Sequence, residues 1–345
     1  MSRRERLPRP YIVAELSANH EGSLERAIAT VQACAAAGVN AVKLQTWAPG
    51  KMVLDTRYVL EDGPWRGSNL AELYERAHTP WDWHRPLFEA ARALGVEAFS
   101  TAFDVEALQF LEELECPRYK VASFELVDTP LITAIARTGK PIIISTGMAD
   151  EPEIREAVQA ARAGGAQDIT LLKCTSSYPA PPETANLAAM RGLGGRFDCR
   201  YGLSDHTEGM GVAITAAAMG AQMIEKHVKL DAAGGLDDAF SLQVDALATM
   251  VRECRAVTQA IGRDVTGPVD EEAPQRRLRR SLYFAKSLRA GETVVPGDVR
   301  SARPAEGIAP RFIGQVLGAT LLKDAPAGTP VTWEHVVRRS LRAQA

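Results

Sequence analysis

Short runs rich in Val, Ile and aromatic residues alternate with longer stretches in which apolar residues recur at helical spacing, the signature of parallel βαβ units. Eight such runs stand out: Tyr11 to Leu16, Ala41 to Gln45, Val96 to Thr101, Tyr119 to Ser123, Pro141 to Ser145, Ile169 to Cys174, Arg200 to Ser204 and Gln222 to His227. Eight parallel strands close a barrel, so the pattern predicts a (β/α)8 TIM barrel of the α/β class. The helices between them carry their own punctuation. Ser23 is placed to cap a helix whose apolar positions include Leu24, Ala27, Ile28, Val31 and Cys34, with Gly38 closing it. Asp150, followed by Pro152 and Glu153, reads as a capping box. One connection is unusually long: about 35 residues separate Gln45 from the helix near Trp83, and loops of that length at a barrel mouth usually serve function.

The eighth unit ends with a helix from Val244 to about Ile261. The catalytic barrel is therefore expected over residues 1–262. Residues 263–279 mix Gly, Pro and charge without periodicity and read as a linker. The tail, residues 280–345, is of another kind. Lys286 to Val299 (KSLRAGETVVPGDV) echoes Lys323 to Val336 (KDAPAGTPVTWEHV), which predicts a small β unit with internal two-fold symmetry. Some 65 residues make a marginal core, so this unit is expected to lean on a barrel, its own or a partner subunit's.

Composition narrows the class. Among 345 residues, 46% are hydrophobic and 24% charged, the balance of an ordinary globular protein. Forty basic side chains against 43 acidic ones give a net charge of −3, which offers nothing to neutralise a nucleic acid backbone. Gly211 to Ala221 is among the longest apolar stretches and is too short to span a bilayer. The basic start is followed by a short run containing Glu15, a poor secretory signal, so a cytoplasmic enzyme is expected. Five dispersed cysteines (Cys34, Cys116, Cys174, Cys199, Cys254), none in a C-x-x-C pair, read as buried free thiols.

Catalytic side chains of such barrels sit at the C-terminal ends of the strands, and here those ends are polar. They carry Glu15; Lys43 and Gln45; Ser100 and Thr101; Lys120, Ser123 and Glu125; Ser145 and Thr146; Cys174 and Thr175; Ser204, Asp205 and His206; Glu225 and His227. Alternation puts Lys43 with Gln45, and Glu225 with His227, on one face. Lysines as point charges, with hydroxyls and backbone N–H groups, suit a small phosphorylated carboxylate such as phosphoenolpyruvate. A single lysine or histidine at a strand end is usually structural. Two lysines on separate strands, and His206 with His227 on neighbouring ones, instead suggest an anion site beside an open divalent-cation site. His78 and His84, near the long loop, are solvated or capping residues as readily as substrate contacts.

Taken in order, the blocks IVAELSANHEGS (Ile12 to Ser23), AVKLQT (Ala41 to Thr46), YKVASFE (Tyr119 to Glu125), PIIISTGMA (Pro141 to Ala149), LLKCTSSYP (Leu171 to Pro179), GLSDHTEG (Gly202 to Gly209) and IEKHVKLD (Ile224 to Asp231) resemble the sialic acid synthases. The LSANH start, Lys173 before Cys174 and the LYERAHTPWDWH loop are most similar to the pseudaminic branch, and Val299 to Pro310 resembles the arginine-bearing segment of an antifreeze-like SAF domain. The resemblance implies a phosphoenolpyruvate-dependent condensation that extends an amino sugar, here 2,4-diacetamido-2,4,6-trideoxy-altropyranose, to a nine-carbon nonulosonic acid. It implies that Lys43, Thr101, Lys120, Ser123, Ser145, Tyr178 and Ser204 bind phosphoenolpyruvate. His206 and His227 would hold a divalent metal, manganese first, with magnesium or cobalt as alternatives. The resemblance places Glu15, Gln45, Glu125 and Asp237 around the acceptor, with Arg303 as a further acceptor contact; of these, Glu15 or Glu125 is the expected catalytic carboxylate that orients water or shuttles a proton. Arg303 would reach a partner's site across a domain-swapped homodimer. The sequence departs from common family residues at Ser176, Ala102 and Val228-Lys229.

Trp65, Trp81 and Trp83 are candidates for an apolar patch against the acceptor's methyl group, with loop packing as the plain alternative. Other readings make different predictions. An N-acetylneuraminate or legionaminic acid synthase differs in acceptor, a metal-dependent aldolase uses pyruvate as donor, and a non-catalytic sugar-binding barrel needs none of the polar set.

Overall fold

The structure, a computed structural model, describes residues 7–231, 235–262 and 266–337. The first few residues of the basic start, the head of the linker and the end of the tail lie outside the described residues. The chain divides between residues 263 and 264 into two units.

The first unit is a closed parallel barrel. Its strands are β1 (Tyr11–Glu15), β2 (Ala41–Thr46), β3 (Glu97–Ala102), β4 (Tyr119–Val121), β5 (Ile142–Ser145), β6 (Ile169–Cys174), β7 (Arg200–Asp205) and β8 (Met223–Lys229), each paired to the next, with β1 also paired to β8. All eight expected runs are strands, with ends shifted by a residue or two. A short β9 (Leu242–Gln243) extends β8 outside the barrel. The helices are α1 (Leu24–Ala36), α2 (Leu70–Ala77), α3 (Trp81–Ala93), α4 (Val105–Glu113), α5 (Thr129–Ala136), α6 (Glu151–Ala163), α7 (Leu187–Phe197), α8 (Gly211–Ala218) and α9 (Val244–Ala260). Ser23 caps α1 by accepting from the Arg26 N–H at 3.2 Å, and Asp150 and Glu153 form the reciprocal capping box of α6.

The core lies between strands and helices, where Ile12, Val42, Ile143, Leu171, Leu203 and Ile224 are fully or almost fully buried. Close packing there restricts residue size. A Cβ on Gly202, in β7, would stand 2.1 Å from the Met223 carbonyl oxygen of β8, so glycine is what lets these two strands approach. The long β2–α3 connection is not wholly irregular: it contains α2, capped by Asn69, and the bridge between Val59 and Asn69.

The second unit pairs β10 (Ser281–Phe284) antiparallel with β11 (Val299–Ala302) around a core that includes Leu282, Phe284, Val294 and Val331. The sequence echo is structural. Leu288 and Ala325, equivalent in the two halves, exchange backbone hydrogen bonds with each other at 2.9 Å, as a pair related by a two-fold axis can. Gly291 donates to Leu321 O at 2.8 Å, and in the other half Gly328 donates to Phe284 O at 2.8 Å. The Val295 N–H to Asp298 contact is likewise repeated by Thr332 N–H to His335.

Candidate active site

Strand alternation and register assemble the site. Glu15 is in register with Lys43 on one side and His227 on the other, Thr101 with Lys120, and Ser204 with Glu225. Parallel strands of one barrel thus deliver their last inward side chains to one layer. Above that layer lies a cavity of about 510 Å³ lined by Lys43, Gln45, Thr101, Lys120, Ser123, Ser145, Tyr178, Ser204, His206, His227 and Asp237. Eleven side chains singled out from the sequence therefore meet around one space.

Lys43 is buried, and its Nζ contacts Glu15 Oε2 at 2.5 Å, Thr101 Oγ1 at 3.2 Å and Glu225 Oε1 at 3.8 Å. Burial works against its charge, but the two carboxylates outweigh it and hold the ammonium above the usual lysine range. Lys120 donates to the Val121 carbonyl at 3.0 Å, and burial pushes its pKa down. Two cationic side chains thus face one cavity, an arrangement suited to an anionic ligand.

Ser123 Oγ accepts from the Gly147 N–H at 3.0 Å, while Ser145 Oγ is buried with no hydrogen-bond partner among the described residues, which suits it to meet a ligand. A Cβ on Gly147 would stand 2.1 Å from Ser176 Oγ, so glycine keeps this turn tight against its neighbours.

Not every expected residue reaches the wall. Glu15, fully buried, lies behind Lys43 and also accepts from Gln45 Nε2 at 2.9 Å. Glu125 sits in a turn after β4, its Oε2 buried without a partner among the described residues, and burial raises its pKa to about 7. The glutamate that does line the cavity, alongside Asp237, is Glu225, which accepts from Ser204 Oγ at 3.0 Å. Burial opposes its charge, but Lys43 and Lys120 prevail and hold it below the usual carboxylate range. The alternation that aligned Glu225 with His227 was its sequence signal. Arg303 belongs to the second unit, where it follows β11 and is exposed.

His206 and His227 face each other with ring centroids 5.1 Å apart. The Nδ1–H of His206 donates to the Thr175 carbonyl at 3.0 Å, which leaves its Nε2 lone pair free. His227 is held well below the usual histidine range by burial and by neighbouring cations, and its Nδ1 is buried with no hydrogen-bond partner among the described residues. Two imidazoles with free lone pairs fit a divalent ion that completes its shell with water and substrate. Among the described residues no group of three or more His, Cys, Asp or Glu side chains is placed to hold a metal. Asp237 accepts from Ser17 Oγ, and burial raises its pKa to about 7.

The outer wall is apolar and comes largely from the long β2–α3 connection, through Trp47, Leu60, Trp65, Leu70, Leu73 and Tyr74. Trp65 pins this wall by donating from Nε1 to the Leu236 carbonyl at 2.9 Å, and its ring lies against Tyr178 and Phe240. Trp81 and Trp83 do not line the cavity: Trp81 stacks on Phe110 at 4.5 Å, and Trp83 meets the edge of His20. His84 bonds Thr46 at 2.7 Å and His78 caps its own turn, so neither contacts the cavity. Cys34, Cys116, Cys174 and Cys254 are buried free thiols, whereas Cys199 is only half-buried.

A barrel that gathers two ammonium groups, the carboxylates of Glu225 and Asp237 and paired imidazoles under an apolar rim has the make-up of an enzyme site for an anionic substrate. Residues 30–266 match the NeuB family and residues 279–337 the SAF domain. The chain belongs to the NeuB family. It is 40% identical over 334 residues to a pseudaminic acid synthase of Helicobacter pylori, covering 95% of this chain and 98% of that protein. It is 34% identical to an N,N'-diacetyllegionaminic acid synthase of Legionella pneumophila, covering 94% of each. The crystal structure of an N-acetylneuraminic acid synthetase from Leptospira borgpetersenii, in complex with citrate, superposes with a TM-score of 0.70 at 29% identity, over 78% of this chain and 90% of that one.

Proposed function

We propose that this protein condenses phosphoenolpyruvate with 2,4-diacetamido-2,4,6-trideoxy-altropyranose to give pseudaminic acid and phosphate. The chain is a phosphoenolpyruvate-using, carbon–carbon bond-forming enzyme of the NeuB family that makes a nonulosonic acid; what is proposed is the acceptor and the role of each residue. The observation that carries the reading is the single cavity in which Lys43, Lys120, His206 and His227 meet beneath an apolar rim.

In this reading Lys43 and Lys120 bind the anionic donor, with Thr101, Ser123, Ser145, Tyr178 and Ser204 completing its shell. His206 and His227 would hold a divalent ion, manganese in the first instance, which supplies Lewis-acid polarisation of the acceptor carbonyl. C3 of the donor attacks C1 of the open-chain sugar, water adds to the resulting cationic C2, and the tetrahedral product expels phosphate by C–O cleavage. Glu15 acts through Lys43 and Gln45, whose positions it fixes. Glu125 stands off the cavity wall, so the proton that its pKa of about 7 suits it to take and return would pass through an intervening water. Gln45, Asp237 and Arg303 orient the sugar, and the loop wall with Trp65 covers its methyl groups. Holding both substrates in one closed space supplies much of the rate. Arg303, exposed on the second unit, is proposed to complete the site of the other protomer in a swapped homodimer, and the enzyme to work in the cytoplasm. Residues 263–279 serve as the linker between the barrel and the SAF unit. Among the described residues no helix is long and apolar enough to cross a membrane.

The test offers phosphoenolpyruvate with the altro-configured trideoxy sugar, its legionaminic-type isomer or N-acetylmannosamine, and reads phosphate release and product mass. The highest kcat/KM is expected with the first. Preference for either other sugar would reassign the acceptor, and turnover with pyruvate would reassign the reaction.

A further inference from the structure

A buried ion pair stands directly behind the two histidines. Alternation turns Ser204, Glu225 and His227 toward the cavity, and Leu203, Asp205, Ile224, Lys226 and Val228 toward the helical layer. Asp205 and Lys226 are register partners on β7 and β8, and their side chains join at 2.9 Å with 1% and 0% exposure. Each precedes a histidine by one residue, His206 and His227 respectively.

The pair does more than neutralise itself. Asp205 Oδ1 accepts from the Thr207 N–H at 3.0 Å and from the Thr207 hydroxyl at 2.8 Å, and Lys226 also donates to the Thr207 carbonyl. All three polar groups of Thr207 are thereby tied to the β7–β8 seam. Ala180 N–H holds the His206 carbonyl at 2.9 Å from the other side. The main chain on both sides of the His206 ring is fixed, and so is the start of His227.

An ion pair enclosed by Leu203, Ile224 and Val228 gains little net stability, because desolvation of both charges offsets their attraction. Apolar side chains would fill the same layer at least as well. What they would not do is bond Thr207.

We propose that Asp205 and Lys226 are positioning residues that set the separation and direction of the His206 and His227 imidazoles for a shared divalent cation. This rests on reading those histidines as metal ligands.

The probe is Mn2+, titrated into the full-length protein and followed by the electron paramagnetic resonance signal of the free ion, with the melting temperature measured on each variant. A His206→Ala/His227→Ala protein gives the baseline for loss of the site. The Lys226→Met/Asp205→Leu variant leaves the buried polar groups of Thr207 without their partners, so it is expected to melt several degrees below wild type and, at a temperature where the melt shows it folded, to bind Mn2+ about 10- to 100-fold more weakly, the usual cost of removing groups that orient metal ligands. Asp205→Asn keeps an acceptor for Thr207 and loses the charge, so it is expected to fall between the two and covers the case in which the double variant does not fold. Wild-type affinity in a folded double variant, or in Asp205→Asn if the double variant fails, would overturn the positioning role alone. Wild-type affinity in the double-histidine variant would overturn the metal reading, and this proposal with it.

Discussion

At the scale of single residues, the site holds groups whose charge the fold makes costly, and each cost is a handle on function. Lys120 is a buried ammonium without a salt bridge among the described contacts, its pKa pushed down by burial. Lys120→Met is therefore expected to raise the melting temperature by a few degrees while weakening phosphoenolpyruvate about a hundredfold, the value of a charged hydrogen bond to an anion. Steady-state KM and a thermal melt check both signs. Glu125 titrates near pH 7 instead of near 4.5 because it is buried. Since its folded pKa stands above the unfolded one, its contribution to stability is fully present below about pH 4.5 and is lost as pH rises through 7. The fall in melting temperature between pH 5.5 and 8.5 should be smaller in Glu125→Gln than in wild type; an unchanged difference would show that Glu125 does not titrate in this window.

Elements carry the next layer. β7 and β8 approach closely because residue 202 is glycine, and a methyl there meets backbone, which has little freedom to yield. Gly202→Ala is expected to cost about 3 kcal/mol or more in chemical denaturation. Removing the α6 cap with Asp150→Ala should cost about 1 kcal/mol. All eight barrel strands were legible in the sequence, because parallel strands buried on both faces are near-continuous apolar runs bounded by polar ends. The caps of α1 and α6 were legible for the same local reason. The placement of Trp81 and Trp83 was not, since a loop tryptophan packs wherever the tertiary fold leaves a partner. Nor was the recession of Glu15 behind Lys43, which depends on the register of three strands. α2 was not read from the sequence although it is amphipathic, because its eight residues are shorter than the window over which helical periodicity is read.

For the whole molecule, the two-fold repeat of the SAF unit shows as paired hydrogen bonds in each half, and Arg303 is an exposed residue of that unit. If that arginine completes a partner's cavity, a protein carrying Arg303→Ala and one carrying Lys120→Met are each impaired, while a refolded equimolar mixture regains activity. Half of such dimers have one intact site, so recovery of about a quarter of wild-type activity is expected. No recovery would place Arg303 in the site of its own chain.

The central claim is that an enol phosphate bound by two ammonium groups joins carbon to a sugar carbonyl and then leaves by C–O cleavage. Phosphoenolpyruvate labelled with ¹⁸O in the bridging position tests it most directly, with the acceptor and Mn2+ present and the products read by mass. The label should appear in the released phosphate, and only when the sugar is present. Phosphate released without the sugar, or label retained in the nine-carbon acid, would contradict the account.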